Sequence, residues 1–171
     1  YYAEEIKRYE NGELENKDSI KVTDSLKFKT PGGKIVYGGG GIVPDLFVPI
    51  DVSGITHYIN QISSEGLLND FAFKYADKER AKLKKYQTVE SYTKSFEIKP
   101  VVFKEFVEFC TKNNIPKNEK EIKRSESSIK FYLKALIARN IWKNEGYYSV
   151  IESQDTGLKE AIEYLEKQKP L

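Results

Sequence analysis

The chain of 171 residues sets 28 lysines and arginines against 26 acidic residues, a formal net charge of +2, and is 39% hydrophobic and 13% aromatic. Such a length and composition suit one globular domain, or a domain with an appendage, that buries a core of its own. The balance of charge leaves no broad positive field for a polyanion, so nucleic acid is not an expected partner, and no apolar run reaches the ~20 residues that a membrane-spanning helix needs.

The N-terminal stretch "YYAEEIKRYENG" lacks the basic start and apolar run of a signal peptide. With no methionine and two tyrosines in front, the chain is expected to be a segment of a longer protein. Residues 2–10 place Tyr2, Ile6 and Tyr9 at helical spacing, and Asn11-Gly12 ends that helix. "DSIKVTDSLKFKT" alternates as extended structure around an Asp-Ser turn. Pro31-Gly32-Gly33 then separates "LKFKT" from "KIVYGG" as the turn of a β-hairpin. Beyond four glycines, "IVPDLFVPI" reads as an extended arm or a strand paired on one side, because Pro44 and Pro49 donate no backbone hydrogen bond.

From Ser53 the period becomes helical. Ile55, Tyr58, Ile59 and Ile62 mark one helix with Ser53 as its cap. Leu68, Phe71, Tyr75, Leu83 and Tyr86 mark a second, broken from the first near Gly66. Pro100 opens a third that carries Val102, Phe103, Phe106, Val107 and Cys110. The longest is expected over Glu119 to Trp142, with Ile122, Ile129, Leu133, Leu136, Ile137 and Ile141 on one stripe. A last pair covers Tyr147 to Ile151, then Leu158, Ala161, Ile162 and Leu165 behind an Asp155 or Thr156 cap. The fold expected is α+β, mainly α: a short helix and hairpin over residues 1–52, then a multi-helix bundle over 53–171.

Few residues offer chemistry. Cys110 is the single cysteine and sits on the apolar face of its helix, which excludes an intrachain disulfide and reads as a small buried residue. His57, the single histidine, reads as a helix surface residue, and zinc would need it to converge with Cys110 and scattered carboxylates that show no ligand spacing. No metal and no cofactor are expected. The basic run "KERAKLKKY", residues 78–86, reads as a solvated helix face. The segment "KTPGGKIVYGGGGIVPDLFVP" holds six of the 11 glycines. It is no phosphate loop, because neither Lys-Ser/Thr nor a helix follows it. Its apolar flanks do not belong to a linker either. Glycines in such a strand pattern mark a bulge or the close approach of another backbone.

Read with its flanks, this segment resembles the C-terminal processing peptidases, the tail-specific serine proteases of peptidase family S41. Near the end of the catalytic domain these carry T-P-x-G-R, then G-I-x-P-D and an apolar strand. Here Gly33 and Lys34 stand at the Gly-Arg place, Gly38, Gly39 and Gly40 precede the second element, and Gly41, Ile42, Val43, Pro44 and Asp45 match it. Lys34 departs from the pattern, since a lysine lacks the planar fork of arginine. The residues ahead of the motif look like an insertion of a longer bacterial branch, and "LKALIARNIWKNEGYYSVI" looks like that branch's helical tail.

The resemblance implies a parent serine endopeptidase of the bacterial cell envelope, in the periplasm, that cleaves proteins near their C-termini with a serine nucleophile and a lysine base. Both lie N-terminal to the motif in that family, and no residue of this chain matches them, so this segment is expected to be inactive alone. Implied partners are protein or peptide substrates, the remainder of the catalytic domain and an upstream PDZ domain. Strand edges built to join a parent sheet would invite self-association of the segment. Two alternatives stand beside this reading: residues 53–171 as a helical interaction or self-association module without a catalytic role, and an unrelated ligand-binding domain that shares the motif by chance.

Overall fold

Four consecutive buried residues, Ala135 to Ala138, lie in the middle of the longest helix and mark the axis around which the other helices gather. The computed structural model describes residues 2–20, 27–38 and 46–167. Among them are α1 (Tyr2–Glu10), β1 (Lys27–Lys29), β2 (Ile35–Tyr37), α2 (His57–Ser64), α3 (Leu67–Lys78), α4 (Arg80–Leu83), α5 (Val89–Ser95), α6 (Pro100–Lys112), α7 (Glu119–Glu152) and α8 (Thr156–Lys167). The protein is α+β and mainly α. It divides into two compact units, Tyr1–Val52 and Ser53–Leu171.

In the first unit α1 ends at Gly12, whose φ of +72° suits a residue without a Cβ. Asn16 caps a 3₁₀ turn over Lys17–Ser19, its Oδ1 accepting from the Asp18 N–H at 3.0 Å. This turn replaces the start of the expected extended segment, because an Asn at the cap stabilises a helical turn locally. The Ile50 N–H donates to the Leu14 carbonyl at 3.0 Å and ties the extended arm to this turn region. Strands β1 and β2 pair antiparallel with Phe28 opposite Val36, as a Pro-Gly-Gly turn directs. None of the described residues of this unit is buried, and Phe28 is 59% exposed.

The second unit holds the core. The α7 stripe of Ile129, Leu133 and Ile137 is fully buried, and α2, α3 and α5 all pack on this helix. From α3, Phe71 meets Phe106 and Phe109 of α6 with ring centroids 5.2 and 5.6 Å apart. From α5, Tyr92 stacks on Phe96 at 4.5 Å and donates its hydroxyl to the Lys134 carbonyl at 2.9 Å. The Lys134 amine answers by donating to the Thr93 carbonyl at 2.7 Å.

Several helix limits differ from the sequence expectation. Thr56, not Ser53, caps α2, because its Oγ1 accepts from the Ile59 N–H, and Ile55 is left outside the helix and exposed. The Leu68–Tyr86 pattern is divided between α3 and the single turn α4, with Tyr86 beyond both. Helix α5 has too few residues to leave a periodic signature; Thr88 and Ser91 cap it reciprocally. Pro100 stands at the first turn of α6, as its lack of an N–H allows. The stripe expected to bury α8 is exposed instead, Leu165 to 66%, and Asp155 holds the start of that helix by accepting from the Leu158 N–H at 2.9 Å.

A buried polar chain fastens the entry of this unit to α7. Ser125 Oγ donates to the Glu121 carbonyl at 2.8 Å, which leaves the Thr56 hydroxyl to donate to Ser125 Oγ at 2.6 Å. Glu121 Oε2 accepts from the Tyr58 N–H at 2.7 Å, and Arg124 Nε donates to the Ser53 carbonyl at 2.7 Å. Ser125→Ala leaves the Thr56 hydroxyl buried without its acceptor and is expected to cost about 1–3 kcal/mol. A urea unfolding midpoint checks it; a midpoint equal to that of the native chain would remove the chain's structural role.

Candidate binding groove

The groove begins with an irregularity in α7. Trp142 (φ −117°, ψ 16°) and Lys143 (φ 56°, ψ −139°) leave helical geometry and divide the helix into two runs. At Lys143 the backbone lies where a Cβ is crowded, a conformation that costs a non-glycine residue about 1–3 kcal/mol. What holds it is packing after the turn. A Cβ built on Gly146 would stand 2.6 Å from the Ala138 carbonyl oxygen and 3.0 Å from Trp142 Cβ, so the second run lies directly on the end of the first. Val150 of the second run is fully buried, and the Arg139 guanidinium sits 5.7 Å from the Tyr147 ring centroid. Asn140 donates its side-chain amide to the Leu136 carbonyl at 2.8 Å near the end of the first run.

Beside this break, α3 and α4 enclose two adjoining hollows of about 820 and 470 Å³ that share Phe73, Asn140 and Trp142. The larger is walled by Asn69, Asp70, Leu136, Arg139 and the turn residues Lys143 to Glu145. Ala76, Leu83, Tyr86 and Ile141 line the smaller, with Asp77, Arg80, Lys84 and Gln87 at its rim. Phe73 is 62% exposed and Ile141 38%, while Trp142 is half-buried with its ring 5.3 Å from Tyr92. At the rim Arg80 pairs with Asp77 at 3.1 Å; Lys84 and Lys143 carry no ion pair among the described residues. The result is an apolar floor with a mixed, slightly basic border, an arrangement suited to binding.

The residues singled out from the sequence are not gathered into a site. Gly33 (φ +84°) and Lys34 form the hairpin turn, with the Lys34 N–H donating to Thr30 Oγ1 at 3.1 Å, and Gly38 follows β2, exposed. Gly39, Gly40, Gly41, Ile42, Pro44 and Asp45 lie outside the described residues. His57 is exposed at the first position of α2. Cys110 is fully buried, and burial pushes its thiol up to about 11, so it holds its proton at neutral pH. The Tyr58 hydroxyl is buried beside the Cys110 thiol; burial first, and then that thiol, drive it above the ordinary phenol range. No group of three His, Cys, Asp or Glu able to hold a metal occurs among the described residues, and no helix there is long and apolar enough to cross a membrane.

The groove itself was missed from the sequence. Phe73 gave a signal, an aromatic residue off the Leu68–Phe71–Tyr75 stripe of α3, and Gly146 gave another, a glycine inside a helical pattern.

Residues 58–143 match the model of a Family of unknown function (DUF8443). That is half of the chain, which therefore belongs to this family, and the matched region runs from α2 to the break in α7. No curated protein and no solved structure matches the chain.

Two outcomes follow from this geometry. Gly146→Ala drives a methyl group into the Ala138 carbonyl and is expected to cost about 2 kcal/mol, read from urea unfolding. In alkali, Cys110, Tyr58 and Tyr92 hold their protons longer in the folded chain than unfolded, all chiefly through burial, so the stability they carry is intact below pH 9 and lost above it. Lys134, moved down by burial, acts oppositely in the window below 10.5. The expected net outcome is a urea midpoint that starts to fall near pH 9 and falls more steeply beyond pH 10, with Cys110→Ala removing the first part.

Proposed function

We propose that the chain is the C-terminal, non-catalytic portion of a tail-specific serine endopeptidase, in which the helical unit works as a protein-binding module. The groove carries the binding reading: a broken helix end, an exposed Phe73 and a half-buried Trp142 form an apolar floor with ionic residues at the border, the composition of a partner-docking surface. The peptidase reading is favoured by the T-P-G-G-K and G-I-V-P-D elements, Thr30 to Lys34 and Gly41 to Asp45. It is supported by a hairpin whose Phe28, Ile35 and Val36 are exposed, as strands meant to extend a larger sheet would leave them. The chemistry then falls to a serine and a lysine base preceding the motif in the parent, which needs no cofactor and acts on protein C-termini in the bacterial envelope.

The test uses the reading frame that contains this sequence. A fluorophosphonate is expected to label a serine N-terminal to Tyr1 and none within the 171-residue chain; labelling inside the chain, or a frame without such a serine, would end the peptidase reading. In the labelled enzyme, Phe73→Ser is expected to lower kcat/KM for folded protein substrates about tenfold while leaving a short peptide unchanged, since removing one anchor of an interface costs roughly 1–2 kcal/mol. Equal loss on both substrates would sink the docking role of the groove.

A further inference from the structure

We infer that α7 is a two-state element, bent in the closed chain and straight in a domain-swapped dimer in which residues 144–152 of one copy occupy the seat on the other. Three observations carry this, and none depends on the peptidase reading.

Lys143 is the first. At φ 56° and ψ −139° it is strained where it stands, and a continuous helix would return it to an ordinary conformation. Second, the local sequence permits a continuous helix: residues 119–152 contain no proline, Lys143, Asn144 and Glu145 are all compatible with a helix, and the one glycine, Gly146, costs only about 1 kcal/mol within one. Straightening would also restore the backbone hydrogen bonds interrupted at the turn and give a helix of 34 residues, about 51 Å long. Third, the forces that keep α7 bent act between residues before the turn and residues after it. Gly146 lies against Ala138 and Trp142, Arg139 stands over Tyr147, and Val150 is fully buried.

A straight monomer would expose that apolar face, which excludes it as a stable state. A second copy offers the identical seat. Two straight chains that exchange residues 144–152 regain every contact of the bent form and shed the strain at both copies of Lys143, with α8 carried along by its connection to α7. The partner of this surface is therefore the chain itself.

The experiment measures oligomeric state by sedimentation across concentration for the 171-residue chain and two variants. The native chain is expected to show a slowly exchanging dimer at high concentration. Lys143→Gly, which removes the strain from the bent form and weakens the straight helix, is expected to weaken dimerisation about 30-fold or more. Lys143→Ala keeps the strain and favours the helix, so it is expected to hold or raise the dimer share. Arg139→Cys with Tyr147→Cys in a Cys110→Ala background, treated with a short bis-maleimide, is expected to give covalent dimers from the dimer fraction and internal links from monomer. The inference is overturned if the native chain and Lys143→Ala stay monomeric at millimolar concentration. It is equally overturned if Lys143→Gly leaves the dimer unchanged, or if the links stay within single chains.

Discussion

The removal from water of one face of α7 is the interaction on which the second unit depends. Ile129, Leu133 and Ile137 repeat at intervals of four, so they fall on one side of the helix, and each is fully buried. At roughly 1.5–3 kcal/mol for each aliphatic side chain of this size, the stripe supplies stability that the short neighbouring helices cannot generate alone. Helices α2, α3 and α5 pack on it directly, and α6 reaches the core through the Phe71, Phe106 and Phe109 aromatic contacts of α3. The polar chain from Thr56 through Ser125 to Glu121 sets where along that stripe the unit begins.

The two units stand in contrast. One buries a core; the other, among its described residues, buries nothing and is held by turn hydrogen bonds, one hairpin and the Arg8–Glu13 ion pair at 3.4 Å. A pair at that exposure contributes little on its own. The family match, residues 58–143, falls on the second unit, Ser53–Leu171, whereas the motif that resembles the peptidases falls on the first, Tyr1–Val52.

The fold was legible where residues repeat. The period of α3, α6 and the first run of α7 and the change of pattern near Ser53 are written in side chains that alternate between core and solvent, and the hairpin in the turn chemistry of Pro31-Gly32-Gly33. What escaped was set by contacts rather than by period. Helix α5 is too short to show a repeat, and its existence depends on Tyr92 reaching Lys134 of α7 across the fold. The end of the first run of α7 at Trp142 was legible where its apolar stripe stops, but the packing that holds the break, Gly146 against Ala138, was not. The stripe of α8 has the amphipathic pattern of a core helix, yet periodicity reports only that a face is apolar and not whether anything covers it. The groove is hidden for the same reason, since its walls come from α3, α4 and α7.

The reciprocal bonds between α5 and Lys134 have a kinetic meaning. A seven-residue helix cannot nucleate by itself, because fixing the first turn costs more than its few hydrogen bonds return. Helix α5 therefore forms on α7, and the segment from Thr88 to Ser95 loses its helix when it leaves that surface. Tyr92, which stacks on Phe96 and touches Trp142, moves with it. Each local opening of α5 thus withdraws support from Trp142 in the wall of the groove.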